Sequence, residues 1–195
     1  NLETGTPVRT TSVFEIASMT KPMTATAVLL LVRQGRVGLD DPITKFIAGA
    51  PADWSAVTVR HLLTHTAGFP EEAIAEHEGS PLMDVSVRQQ LDAIVRAPKL
   101  FAPGESAQYS DPGYFLLGMI IEKASGLRYA DFMDRSIFKS LGMTATHVLD
   151  QTRIVPGRVM PYSIREDDPE RLVRGRRDWQ HALPSHFGVY SSIED

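Results

Sequence analysis

The chain has 195 residues, 43% of them apolar, enough to bury a core as one large domain or two small ones. Its 20 Lys and Arg against 24 Asp and Glu leave a net charge of -4, which speaks against nucleic acid as a partner. The absence of cysteine excludes disulfides, thiolate catalysis and cysteine metal sites, and is compatible with either side of a bacterial inner membrane.

Residues 1–8 read as the end of a strand and a turn, without an initiator methionine or a signal-peptide pattern, so the chain is expected to begin inside a longer sequence. Residues 13–16 alternate briefly in strand fashion. A strongly apolar helix is predicted over 18–34, stopped by Gly35 and, being apolar almost all round, central and buried. Its longest apolar run, 27–32, is too short to span a bilayer. Pro22 lies near its start, where a missing N–H costs little, and the restriction a proline places on its predecessor predicts strain around Lys21.

That helix opens on Ser18-Met19-Thr20-Lys21. Residues three apart share a helix face, so the Ser18 hydroxyl and the Lys21 amine can point into one pocket. A serine attacks poorly unless a neighbour takes its proton, and a helix N-terminus with burial disfavours an ammonium and favours a developing alkoxide. Alone the tetrad is weak, because a capping serine beside a solvated lysine has the same spacing.

Residues 38–42 form a turn into a short helix at 43–46, followed by a Gly/Ala/Pro connector. Residues 58–68 read as a helix capped by Thr58 and closed near Gly68, with His61 and His65 in structural rather than catalytic places. Residues 70–81, carrying four glutamates and two prolines, read as an exposed loop or lid edge. Ser86 and Gln89 have capping-box spacing, and Val87, Leu91, Ile94 and Val95 form an apolar stripe that packs a core and ends before Pro98.

Pro103-Gly104 makes a tight turn, the chain extends through Tyr109, and Asp111 is predicted to cap a helix with Pro112 at its first position. That helix runs to Ser125 and stops at Gly126. Another follows over 129–140, with Phe132, Met133 and Ile137 inward, ending at Leu141-Gly142. Beyond Met143 the texture changes: 146–149, 154–155 and 158–162 are strand-like, and 165–177 is a densely charged, solvated excursion. The expected class is α+β, with 18–142 mainly helical and 143–195 strand-like and loop.

In this order, Ser18-Met19-Thr20-Lys21-Pro22, His61 to Phe69, Pro103-Gly104, Tyr109-Ser110-Asp111, Phe115 to Glu122, Gly126 and Leu141-Gly142-Met143 resemble the serine beta-lactamase-related family. That family includes class C beta-lactamases, family VIII carboxylesterases, D-alanyl-D-alanine carboxypeptidases and D-aminopeptidases. The resemblance spans nearly the whole chain and implies a beta-lactamase/transpeptidase-like fold, of which this chain covers mainly the helical region as one domain over 1–195, incomplete at both ends. It implies that Ser18 is acylated, that Lys21 holds or takes its proton, and that Tyr109 is the second proton-transfer group. No cofactor or metal is implied.

Two departures from the family pattern stand out. Asp111 occupies a substrate-binding position where the family commonly has asparagine; an ionised aspartate only accepts hydrogen bonds, and its charge makes Lys21 a poorer base but a firmer anchor. Beta-lactam turnover is the activity this puts most in doubt, and helix capping is an equal role for Asp111. The family's third motif, Lys-Thr-Gly or His-x-Gly on a late strand, is imitated by His186-Phe187-Gly188, which instead resembles the glycine-rich segment upstream of it. The missing strands imply a complementary segment or chain supplying the sheet. The expected activity is a serine hydrolase, foremost a carboxylesterase acting on a small-molecule ester or amide. A beta-lactamase or D-amino-acid peptidase is the alternative, and a non-catalytic binding relative the rival from another class.

Overall fold

In the computed structural model the described residues are 1–73, 85–150, 153–165, 168–175 and 183–195, without the side chains of 165 and 169–171. Strand β1 (Phe14–Glu15) and a 3-10 turn (Ala17–Met19) lead into helix α1 (Thr20–Arg33). Further 3-10 turns at Ile43–Lys45 and Ala52–Ala56 precede α2 (Val59–Leu63), and α3 (Val87–Arg96) and α4 (Asp111–Ser125) follow. Helix α5 (Tyr129–Met133) runs through a π turn (Asp134–Phe138) into α6 (Lys139–Leu141). The strands after it are β2 (His147–Val148), β3 (Tyr162–Arg165), β4 (Asp168–Arg174) and β5 (Val189–Ser191).

Helix α4 is the centre of the packing because it is apolar nearly all round: Phe115, Leu116, Leu117, Ile120 and Ile121 are buried between α1, α2 and α5. Each such side chain stabilises the fold by about 1.5–3 kcal/mol relative to exposure. Its ends follow from local chemistry. The Ser110 hydroxyl accepts the Gly113 N–H at 3.2 Å, and Gly126 closes the helix at φ 73°, a left-handed conformation that favours glycine. Gly118 is required by packing instead, since a Cβ there would stand 2.3 Å from the Ser185 Oγ.

Strand β5 lies between β1 and β2, antiparallel to both, with Phe14 opposite Ser191 and His147 opposite Tyr190. This small sheet holds the chain just before α1 against residues 183–191. The capping boxes at Thr58 with His61 and at Ser86 with Gln89 start α2 and α3. Among the described residues no helix is long and apolar enough to cross a membrane.

Several expectations are corrected. Helix α1 is not buried all round: Thr20, Lys21, Thr24, Ala27, Val28 and Leu31 form its inner face, while Leu29 is half exposed. Helix α2 ends at Leu63, five residues short of Gly68, because His65 turns left-handed at φ 57°. In α3 the inner face is Gln90, Leu91 and Ile94, and Val95 is on the exposed side. Pro70 and Ala73 are buried and Glu71 half-buried, so this part of the expected lid edge is tucked in; residues 74–84 lie outside the described residues. Ile154 is exposed and in no strand. Arg165 and residues 168–174 of the expected charged excursion lie in strands, β3 and β4 pairing antiparallel and still facing water through Ile164 and Leu172; residues 166–167 and 176–177 lie outside the described residues.

Candidate active site

Ser18 sits in the 3-10 turn immediately before α1, so its hydroxyl stands at the helix entrance while Lys21 lies one turn further, buried. The strain expected at Lys21 falls instead on Ala17, whose φ of 45° is left-handed for a residue with a Cβ. Such a conformation costs about 1–2 kcal/mol and stands immediately before Ser18, which is exposed.

The three residues singled out for proton transfer meet. Lys21 Nζ donates to Ser18 Oγ at 2.9 Å, and the Tyr109 hydroxyl lies 2.7 Å from the same oxygen. Lys21 Nζ also donates to the His186 carbonyl at 3.0 Å and forms an ion pair with Asp111 Oδ1. Two hydrogen-bond acceptors and one carboxylate counter-charge thus surround the ammonium. The cation lies 4.6 Å from the centre of the Tyr109 ring. Tyr109 itself is half exposed, open on one side to an incoming molecule.

Asp111 does not cap α4. Ser110 does, which leaves Asp111 as the first helical residue with its carboxylate turned to Lys21. Both residue types cap well, and the buried lysine decides between them because its charge needs a counter-charge. The Asp111 backbone N–H is taken by Glu71 Oε2 at 2.7 Å. Burial raises the Glu71 carboxyl above its ordinary value, and the charge of Asp111 adds to the rise, while that hydrogen bond and Lys21 oppose it.

His65 underlies Tyr109. Its ring stacks on Tyr109 at 4.8 Å and packs against Tyr114 at 5.0 Å, and its Nδ1 accepts the Ser110 N–H at 3.1 Å. Burial, with the charge of Lys21, lowers its pKa below the ordinary imidazole value. His61 caps α2 through Thr58.

Residues 183–191 complete the inner wall. Thr24 Oγ1 donates to the Ser185 carbonyl at 2.6 Å, Ser185 Oγ donates to the Tyr114 carbonyl at 2.9 Å, and Val189 N–H donates to Thr20 Oγ1 at 3.0 Å. His186 thus meets Lys21 through its backbone. Sequence reasoning missed this carbonyl, Glu71 and the stacked ring of His65; the only advance signal was that His65 opens the His-Thr-Ala-Gly-Phe run and Glu71 follows it by two residues. Among the described residues no group of His, Asp and Glu could hold a metal ion.

The sequence profile of the Beta-lactamase family matches residues 1–195. Penicillin-binding protein 4* of Bacillus subtilis (strain 168) is 39% identical over 160 residues, 80% of this chain and 35% of that protein. Esterase EstB of Burkholderia gladioli is 33% identical over 189 residues, 89% of this chain and 47% of that protein. The chain therefore spans about a third to a half of the length of these curated relatives. The crystal structure of a penicillin binding protein from Bacillus halodurans superposes with a TM-score of 0.81 at 27% identity, over 100% of this chain and 59% of that one.

Proposed function

Because the chain belongs to the beta-lactamase family and has its beta-lactamase/transpeptidase-like α+β fold, we propose that it serves a serine hydrolase working through an acyl-enzyme on Ser18. One observation carries the proposal: Ser18 Oγ stands between Lys21 Nζ at 2.9 Å and the Tyr109 hydroxyl at 2.7 Å. A nucleophile with two proton-transfer groups in hydrogen-bond reach is the arrangement that acyl transfer needs.

In the reacting form the Lys21–Tyr109 pair carries one proton fewer. Ser18 Oγ bonds to the substrate carbonyl carbon while its proton passes to the Tyr109 oxygen. The same proton then moves to the leaving oxygen, which departs as an alcohol when the carbonyl re-forms. Water repeats the sequence, giving a proton to the pair and its oxygen to the acyl carbon, and Ser18 recovers its proton. The Lys21 charge beside the Tyr109 ring stabilises the Tyr109 oxygen in its proton-accepting form, and Asp111 anchors that lysine.

The substrate in this reading is an ester of a small or medium acyl group. An ionised Asp111 offers no N–H to a lactam or peptide carbonyl, and it is already engaged by Lys21. The kinship to esterase EstB supports the ester reading, and that to penicillin-binding protein 4* supports the second reading, a beta-lactamase or D-amino-acid peptidase.

The test is intact-mass measurement after incubation with a nitrophenyl butyrate ester and, separately, benzylpenicillin, beside the turnover rate of the ester. A butyryl adduct absent from Ser18→Ala, with turnover lost in that variant, is expected. Equal ester turnover in Ser18→Ala and the parent sinks the catalytic reading and leaves a binding relative; a stable penicilloyl adduct with no ester turnover selects the second reading.

A further inference from the structure

We propose that His65 is a positioning residue for this chemistry, fixing the direction in which Tyr109 presents its hydroxyl to Ser18. The inference rests on the reading of Ser18 as nucleophile and Tyr109 as its proton partner.

His65 grips the chain on both sides of Tyr109. Its carbonyl accepts the Gln108 N–H at 2.9 Å, its Nδ1 accepts the Ser110 N–H at 3.1 Å, and its ring stacks on the Tyr109 ring at 4.8 Å with 26° between the planes. With both neighbouring amides tied, Tyr109 keeps only its side-chain torsions, and the stacked imidazole restricts those. Tyr114 supports the ring from another side at 5.0 Å and is itself anchored by donating to the Leu63 carbonyl at 3.1 Å.

The backbone adds an independent observation. His65 has φ 57°, so the chain accepts a left-handed residue with a side chain where asparagine or glycine would be easier. A purely connecting turn gains nothing from an imidazole there. The ring, aimed between two tyrosines with one nitrogen on the Ser110 amide, is what the strained backbone delivers.

The contact also sets a protonation state. Nδ1 can accept the Ser110 N–H only in neutral imidazole, with the ring proton on Nε2. The charged and titratable groups facing the ring are Lys21 from α1, Asp111 and Tyr114 from α4, and Tyr109 from the segment before α4. Burial and Lys21 oppose a second positive charge, Asp111 favours one, and the balance lowers the pKa of His65, which favours the neutral ring. Protonation in acid turns Nδ1 into a donor facing a donor, and the hold on Tyr109 is lost.

The experiment compares the protein with His65→Asn, Tyr109→Phe and the double variant, using nitrophenyl butyrate turnover from acid to neutral pH and circular dichroism for the fold. Asparagine tolerates the left-handed backbone, has no ring and does not titrate in this range. His65→Asn is expected to remain folded, to lose about 10- to 100-fold in kcat with KM within about twofold, and to change the acid limb of the kcat profile, leaving only the decline that protonation of the Lys21–Tyr109 pair sets. In the Tyr109→Phe background His65→Asn is expected to cost nothing further, because both changes remove one function. Parental kcat in folded His65→Asn, an unchanged acid limb, or a full additive loss in the double variant overturns the inference. If Tyr109→Phe falls and His65→Asn does not, only this inference fails; parental activity in Tyr109→Phe removes the proposed role of Tyr109 as well. Should His65→Asn not fold, His65→Gly, which relieves the backbone, takes its place with the same expectations.

Discussion

The hydroxyl of Thr20 accepts the backbone N–H of Val189 at 3.0 Å, joining the first residue of α1 to the first residue of β5. The Val189 carbonyl in turn accepts the Ile16 N–H at 3.0 Å, so both backbone groups of Val189 are tied to the turn that carries Ser18. Thr20 and Val189 are both fully buried.

Thr20→Val keeps the shape and strands the Val189 N–H without an acceptor. The expected loss is about 1–3 kcal/mol, read as a lower urea midpoint with an unchanged slope. A parental midpoint would show that the bond contributes nothing net.

Asp111→Asn removes the counter-charge of Lys21 while adding an amide N–H at the site. The variant is expected to be about 1–3 kcal/mol less stable, since a buried cation loses its ion pair but keeps a hydrogen-bond acceptor. Its acylation by benzylpenicillin relative to nitrophenyl butyrate is expected to rise by about tenfold, the effect of one added hydrogen bond of ordinary strength. Second-order acylation rates with both reagents check this, and an unchanged ratio removes Asp111 from any role in selectivity.

Stability should fall toward both ends of the pH scale, for different residues. Tyr129 is fully buried, its hydroxyl 2.7 Å from Thr24 Oγ1, and burial pushes its phenol far above its ordinary value. Above about pH 10 the unfolded chain releases this proton and the folded chain does not, so stability is level below that pH and declines as pH rises. Tyr129→Phe should cost about 1 kcal/mol at neutral pH and flatten the alkaline decline. On the acid side burial lowers the pKa of His65 and His147, so below about pH 6.5 the unfolded chain takes up protons that the folded chain resists, and stability falls as pH falls. Urea midpoints of the parent and Tyr129→Phe at neutral and alkaline pH test the first half; an identical alkaline slope would refute it.

What the sequence made legible was local. Thr58 and Ser86 announce their helices because a cap and its partner three residues on are chemically self-contained, and Gly126 ends α4 as its lack of a Cβ permits. That Ser18, Lys21 and Tyr109 come together was legible because spacing and order carry them. The misses are tertiary. Ser110 and Asp111 are equally good caps, and only Lys21 arriving from another helix separates them. The His186 carbonyl has no side-chain signature, and a histidine stacked beneath a tyrosine 44 residues away in sequence leaves no local pattern. The β3–β4 pairing hid because Ile164 and Leu172 both face water, so no inward apolar face marks the period of two.

Gly118 lies seven residues along α4 from Asp111, about two helical turns. Lys21 leans on Asp111 from this helix and on the His186 carbonyl from the segment whose Ser185 fits against Gly118 and bonds Tyr114. One rod therefore carries both supports, and when it drifts they drift together, so the lysine keeps its partners through motions that would scatter independently mounted ones. The same coupling makes the protein fragile to inheritance at a position outside the candidate site: a mutational scan would find Gly118 as intolerant as the site itself, and a natural lineage could lose the proposed chemistry there while Ser18, Lys21 and Tyr109 remained intact.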